Sequence, residues 1–100
     1  MTKIAILITV FNRKDKTLDC LQSLFLSLGS EMALDIWLTD DGSTDGTADA
    51  VRNEYPDKNI HILQGDGTLF WNGGMINSWK AAMRHGGYDG YLWLNNDVKL

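Results

Sequence analysis

One cysteine, one proline and no cluster of positive charge bound what this sequence of 100 residues can be. With Cys20 alone, an intrachain disulfide is impossible, and a reducing compartment is the natural setting. Cys20 falls in an apolar helical pattern, which suits a small buried residue better than a nucleophile. The lone Pro56 leaves no proline-rich linker, and there is no repeat or low-complexity tract. The 9 Lys and Arg are scattered among 13 Asp and Glu, for a formal charge of −4. Affinity for a phosphate backbone comes mostly from clustered cations, so nucleic acid is not an expected partner. A nucleotide stays open, because a metal or backbone N–H groups can neutralise its charge. No run approaches the roughly 20 apolar residues of a membrane span. Met1-Thr2-Lys3 before Ile4–Val10 makes a poor signal peptide: the apolar part is short, and Asn12-Arg13-Lys14-Asp15-Lys16 follows where a small-residue cleavage site belongs.

What the sequence does have is alternation. Hydrophobic residues make up 44% of it, enough for the small core of one domain. Ile4–Val10 is almost continuously apolar, as in a strand covered on both faces. Leu18, Leu21, Leu24, Phe25 and Leu28 recur at helical spacing, with Gly29 as a stop. Ile36–Thr39 is a second strand. Ser43 or Thr44 is expected to cap a second helix carrying Ala48, Val51 and Tyr55 inward, and Pro56 ends it. Ile60–Leu63 is a third strand. A Gly-rich loop follows, then a helix marked by Met75, Ile76, Trp79, Ala82 and Met83, stopped by Gly86-Gly87. Tyr91–Leu94 is a fourth strand. Strand and helix in this order predict an α/β fold with a parallel sheet and right-handed crossovers, Ile4–Val10 and Tyr91–Leu94 both lying inside it.

Ligands of such sheets sit beyond the carboxyl ends of the strands. Those ends are Thr9–Asn12, Asp40-Asp41, Gln64–Gly67 and Asn95–Asp97, all polar or Gly-containing. In Asp40-Asp41-Gly42-Ser43-Thr44-Asp45-Gly46, turn and cap chemistry explains Gly42, Ser43, Thr44 and Asp45. It leaves two adjacent carboxylates at a strand end, open to ligand contact or to plain turn chemistry. Asn95-Asn96-Asp97 is either an Asn/Asp turn or a site with one hard oxygen ligand for Mg²⁺ or Mn²⁺. The loop from Gly65 to Gly74 carries Leu69, Phe70 and Trp71, more apolar than a mere connection. Gly73-Gly74 at the expected helix start would admit a phosphate or sugar. Arg13-Lys14-Asp15-Lys16 reads mainly as a solvated helix start that can also lend a cation to a diphosphate. His61 and His85 have no partner at ligand spacing and receive no role.

Together these segments resemble the nucleotide-binding half of inverting family 2 glycosyltransferases with the GT-A fold, a Rossmann-like arrangement, over the whole chain. The carrying residues are Ile4–Arg13, then Thr39-Asp40-Asp41-Gly42-Ser43-Thr44-Asp45-Gly46-Thr47, then Trp93-Leu94-Asn95-Asn96-Asp97. The loop Gly65–Met75 resembles that of bacterial rhamnosyl- and galactofuranosyl-type members. The resemblance implies that Thr9, Phe11, Asn12 and Arg13 line the nucleotide site. Asp41 would bond a uracil- or thymine-type ring with help from Asp40, and Asn96 would lie near the ribose or donor sugar. Asp66, Trp71, Gly73 and Gly74 would form a donor loop. Asp97 would end a DxD-type motif holding a divalent cation, Mn²⁺ or Mg²⁺, although Asn95 stands where its first Asp is expected. The donor would be a nucleotide-diphosphate sugar and the acceptor a saccharide or a lipid-linked glycan. The role would be in bacterial surface polysaccharide synthesis, cytoplasmic, at the inner face of the membrane. The family's general base lies well after the DxD-type motif, so it is expected beyond Leu100 and no catalytic residue is assigned within the sequence. Residues 1–100 are therefore expected to be a single partial domain that binds donor, does not transfer sugar by itself, and self-associates through uncovered apolar surface. A non-catalytic Rossmann-like binding module is the alternative. A dinucleotide enzyme is disfavoured, because Phe11-Asn12-Arg13-Lys14 follows the first strand in place of a Gly-rich turn.

Overall fold

The structure, a computed structural model, describes residues 2–95. Its elements are β1 (Thr2–Val10), α1 (Lys14–Leu28), β2 (Met32–Asp40), α2 (Thr47–Glu54), β3 (Ile60–Gln64), α3 (Phe70–His85) and β4 (Gly90–Asn95). The sheet runs β3-β2-β1-β4 and every pairing is parallel. The register aligns Val10 with Asp40, Asp40 with Gln64 and Thr9 with Asn95, so the four strands end along one rim. From β1 the chain steps outward to β2 and β3, then returns to β4 on the other side. That reversal makes a topological switch point between β1 and β4, where a crevice opens beyond the strand ends.

Alternation along the strands builds two cores. Ile6, Ile8, Val10, Ile36 and Leu38 face α1 and α2 and pack with Leu21, Leu24, Val51 and Leu94. Ala5, Leu7 and Trp37 face α3 and pack with Met75, Ala81 and Ala82. Burying each of the larger aliphatic side chains contributes about 1.5–3 kcal/mol. Cys20 is buried in the first core, as its pattern required.

Four expectations change. Within the described residues β4 is an edge strand: Leu92 and Leu94 turn to the α1 core while Tyr91 and Trp93 stay exposed. The helix α3 begins at Phe70, five residues before Met75, and its inner face is Gly74, Met75, Ser78, Ala81 and Ala82, leaving Ile76, Trp79 and Met83 exposed. Small side chains won that face because they let α3 lie close on the sheet. Neither Ser43 nor Thr44 caps α2, which starts at Thr47 after Gly46 in the left-handed region (φ 81°). The Asp45 carboxylate does that work, accepting from the Thr47 N–H at 3.1 Å and the Lys14 N–H at 3.1 Å, so it ties the starts of α2 and α1 together. His61 and His85 are not isolated either. His61 stacks on Trp37 (3.9 Å), and His85 stacks on Tyr88 (5.6 Å), whose hydroxyl donates to the buried Asp35 carboxylate at 2.5 Å.

Candidate active site

Two loops meet over the carboxyl ends of β1, β2 and β3. The Asp41 N–H bonds the Val10 carbonyl (2.9 Å) and the Gly65 N–H bonds the Asp40 carbonyl (2.8 Å), extending the strand pairings by one residue. This turns the Asp41 side chain under the loop that follows β3. Its Oδ1 accepts from the Gly67 N–H and its Oδ2 from the Phe70 N–H, each at 2.9 Å, and the residue is buried. A β-carbon at Gly65 would stand 2.6 Å from Asp41 Oδ1, so only glycine leaves room for the carboxylate. Gly42 (φ 84°) passes over Gly67 (φ 94°) less tightly, a β-carbon there standing 3.1 Å from the Gly67 backbone. Asp41 thus acts as a long-range cap for α3, whose own N-cap residue, Leu69, makes no side-chain cap bond.

The loop after β1 is held as firmly. Asn12 and Arg13 both have left-handed backbones (φ 57° and 60°). The Asn12 N–H donates to Ser43 Oγ at 2.7 Å, and Asn12 Oδ1 accepts from the Thr44 N–H at 2.8 Å. Asp40 Oδ1 accepts from the Ser43 N–H at 2.9 Å, closing the turn. Hydrogen bonding by Thr47 holds the Asp45 carboxyl below the usual carboxylate range, and the same bonding from Thr68 lowers that of Asp66.

Between these loops lies an open cavity of about 450 Å³ lined by Thr9, Phe11, Arg13, Asp41, Gly67, Phe70 and Trp71. Its volume falls in the range of about 300–1,000 Å³ typical of small-molecule sites. Thr9 Oγ1 is buried with no hydrogen-bond partner among the described residues. Arg13 is the cation on the wall, and Phe11 and Phe70 are 57% and 74% exposed. Such a cavity can take a planar ring among its aromatics and an anion at its guanidinium.

The structure therefore sorts the residues named from sequence. Thr9, Phe11, Arg13, Asp41 and Trp71 share the cavity wall. Asn12 and Asp40 stand behind it as braces of the Ser43-Thr44 turn. Asp66 is exposed and folds back on Thr68. Gly73 and Gly74 lie inside α3, and the space a Gly74 side chain would need is filled by Thr9, whose Oγ1 lies 2.5 Å from the β-carbon position. The room at Gly74 thus admits strand β1 and not a phosphate. Asn96 and Asp97 lie outside the described residues, which end at Asn95, five positions before Leu100. The general base expected beyond Leu100 lies outside them too, so the described residues place no catalytic group. Gly67 and Phe70 line the cavity although the sequence motifs do not single them out. Their signal is the run of large apolar residues between glycines.

A divalent cation needs oxygen ligands, and both Asp41 oxygens, one Asp40 oxygen and both Asp45 oxygens already take backbone N–H groups. Among the described residues no group of three or more His, Cys, Asp or Glu can hold a metal. Asn95 ends β4 beside Thr9, so the chain reaches this rim two residues before Asp97. The described residues by themselves complete no site for a hard cation. Among the described residues no helix is long and apolar enough to cross a membrane.

The sequence profile of the family described as "Glycosyl transferase family 2" matches residues 5–99. No curated protein matches the chain. Solved structures do. TarS of S. aureus, residues 1–349, superposes with a TM-score of 0.72 at 19% identity, over 97% of this chain and 28% of that one. The same protein in complex with UDP-GlcNAc gives 0.69 at 21% identity, over 97% and 27%. The mannosyltransferase PcManGT from Pyrobaculum calidifontis, in complex with GDP-Man and Mn²⁺, gives 0.68 at 19% identity, over 94% and 27%. At such identities the likeness is one of fold, and the chain spans little more than a quarter of the chains it resembles.

Proposed function

The chain belongs to glycosyl transferase family 2, and from that premise we propose that it forms the donor-binding portion of an enzyme that transfers sugar from a nucleotide-diphosphate sugar to an acceptor hydroxyl. The observation that carries this reading is the cavity over the carboxyl ends of β1 and β2. It brings a half-exposed aromatic, a cation and a buried carboxylate together at one rim.

In this reading the base lies against Phe11, and Asp41 accepts from a ring N–H with the lone pairs its loop bonds leave over. Arg13 faces the diphosphate. Asn96 lies near the ribose or donor sugar. Asp97 holds Mn²⁺ or Mg²⁺, which when bound stabilises charge on the departing nucleoside diphosphate. Asn12 and Asp40 act by bracing. A general base for the acceptor hydroxyl would come from beyond Leu100, with inversion at the anomeric carbon. The segment from Gly65 to Gly74, a loop that runs into α3, favours a rhamnosyl- or galactofuranosyl-type donor. A saccharide or lipid-linked acceptor fits surface polysaccharide synthesis in the cytoplasm at the inner face of the membrane. The 100-residue piece by itself binds donor, does not turn it over, and self-associates.

The test is calorimetric titration of the full-length protein with UDP-, dTDP- and GDP-sugars, with and without Mn²⁺. Metal-dependent binding of at least one of them is expected. Binding of none, with the protein folded, would favour a non-catalytic module.

A further inference from the structure

We propose that Phe70 is a base-stacking residue of the donor site, the wall of a base-binding slot opposite Phe11, and that Asp41 is its positioning residue. The inference rests on the nucleotide reading above and adds to it a residue to which no role attaches.

Three observations converge on Phe70. First, it is a bulky aromatic with a left-handed backbone (φ 57°), a conformation that costs an L-residue energy and persists only where the surroundings enforce it. The enforcing group is the Asp41 carboxylate, which takes the Phe70 N–H on Oδ2 and the Gly67 N–H on Oδ1. Second, the strain gains nothing for the core, because the ring is 74% exposed. A left-handed position needed only to start a helix would favour glycine or asparagine over a ring that the core does not use. Third, Phe70 and Phe11 line the same cavity, and neither ring is in contact with another aromatic ring among the described residues. Two unpaired exposed rings on one cavity leave π-faces for a planar heteroaromatic ligand. Stacking suits every base, so the slot supplies affinity for the base as a class. The hydrogen bonds at its edge supply the choice among bases.

The conformation supplies the test. Phe70→Gly places the residue best suited to φ 57° at that position and removes the ring, so the fold should be as stable as before or more so. Calorimetric titration of the full-length protein with UDP and GDP, and with inorganic pyrophosphate and Mn²⁺ as the base-free control, separates the roles. Phe70→Gly and Phe70→Leu should weaken whichever nucleotide binds by roughly five- to a hundredfold, the range for losing one aromatic–base stack. Pyrophosphate should be unaffected, and Phe70→Tyr should restore the nucleotide. Asp41→Asn should weaken the nucleotide and also increase protease cleavage in the 65–70 loop, since its amide leaves one loop N–H unmatched. Nucleotide affinity within twofold of wild type in both Phe70→Gly and Phe70→Leu would overturn the proposal while leaving the donor reading intact. A wild-type protein that binds neither UDP nor GDP would overturn the donor reading, and the Phe70 assignment with it.

Discussion

At the scale of single residues, Asp41 and Asp45 stand four positions apart in one acidic turn and do different work. Asp41 is buried and receives two backbone N–H groups from a loop more than 20 residues away, whereas Asp45 is exposed and ties the starts of two helices. Each charge-assisted bond lost at Asp41 costs about 1.5–3 kcal/mol, so Asp41→Ala should destabilise the fold and cut nucleotide affinity at least tenfold. Asp45→Ala should loosen helix starts and leave affinity within about threefold. Equal losses of affinity by titration would refute the division of labour. The sequence reading places Asp41 at a strand end and Asp45 in the first turn of the next helix, which begins two residues later at Thr47. It misses that Asp41 is engaged across the sheet, because that partnership depends on β3 lying beside β2, which no local pattern encodes. Asp97 can be separated by charge. Asp97→Asn keeps shape and loses the anion a hard cation needs, so Mn²⁺-dependent donor binding should vanish while melting temperature stays within a few degrees. Unchanged Mn²⁺ dependence would return Asn95-Asn96-Asp97 to a plain turn.

At the scale of elements, the strands are legible because buried parallel strands are nearly unbroken apolar runs, and β1 spans every residue of Ile4–Val10. The start of α3 is not, because its cap comes from Asp41 on another element and its inner face, Met75 apart, is built from Gly, Ser and Ala. Ser78 Oγ and Thr39 Oγ1 meet at 2.7 Å, a polar seam that hydrophobic periodicity cannot register. Gly74 sets how closely α3 approaches. Gly74→Ala would drive a methyl to 2.5 Å from Thr9 Oγ1, so a loss of about 1–3 kcal/mol is expected from overpacking. Thr9→Ala should recover part of it, and the coupling in a double-mutant cycle measures the contact; strict additivity would show that α3 shifts instead. The connection from α3 to β4 is latched by Tyr88, whose hydroxyl donates to Asp35 and accepts from Trp37 Nε1 at 2.8 Å. Burial, then the Asp35 carboxylate, pushes Tyr88 up to about 12. An unfolded tyrosine loses its proton near pH 10. Between those values the folded state holds the extra proton, so stability is full below about pH 10 and declines as pH rises toward 12. Denaturant melts from pH 9 to 12 should show that decline, and Tyr88→Phe should flatten it.

At the scale of the whole molecule, the two faces of the sheet are finished unequally. On one side α1 and α2 cover the strands, with Leu92 and Leu94 of β4 tucked against them. On the other, α3 packs on β1 and β2, and beside it Tyr91 and Trp93 of β4 line up with Trp79 of α3, Trp79 and Trp93 meeting edge to face at 5.6 Å. Ile76 and Met83 extend the same helix flank, and all five side chains are 39–56% exposed. Along the strip runs the outer edge of β4, whose N–H and C=O groups have no partner strand among the described residues. A free parallel edge bordered by large apolar side chains is what natural sheets avoid leaving open. In the 100-residue chain taken alone, the available cover is a second copy, edge to edge at β4. Sedimentation should therefore show concentration-dependent association in the micromolar range. Trp93→Lys puts a charge on the exposed face of β4 without touching Leu92 or Leu94, and it should shift the chain to monomer with its melting temperature little changed. Trp71, the next ring along the strip at 6.1 Å from Trp93, also lines the cavity. Association through β4 should therefore alter Trp71 fluorescence on dilution. A species that stays monomeric at all concentrations would mean that the aromatic strip is satisfied by its own ring contacts.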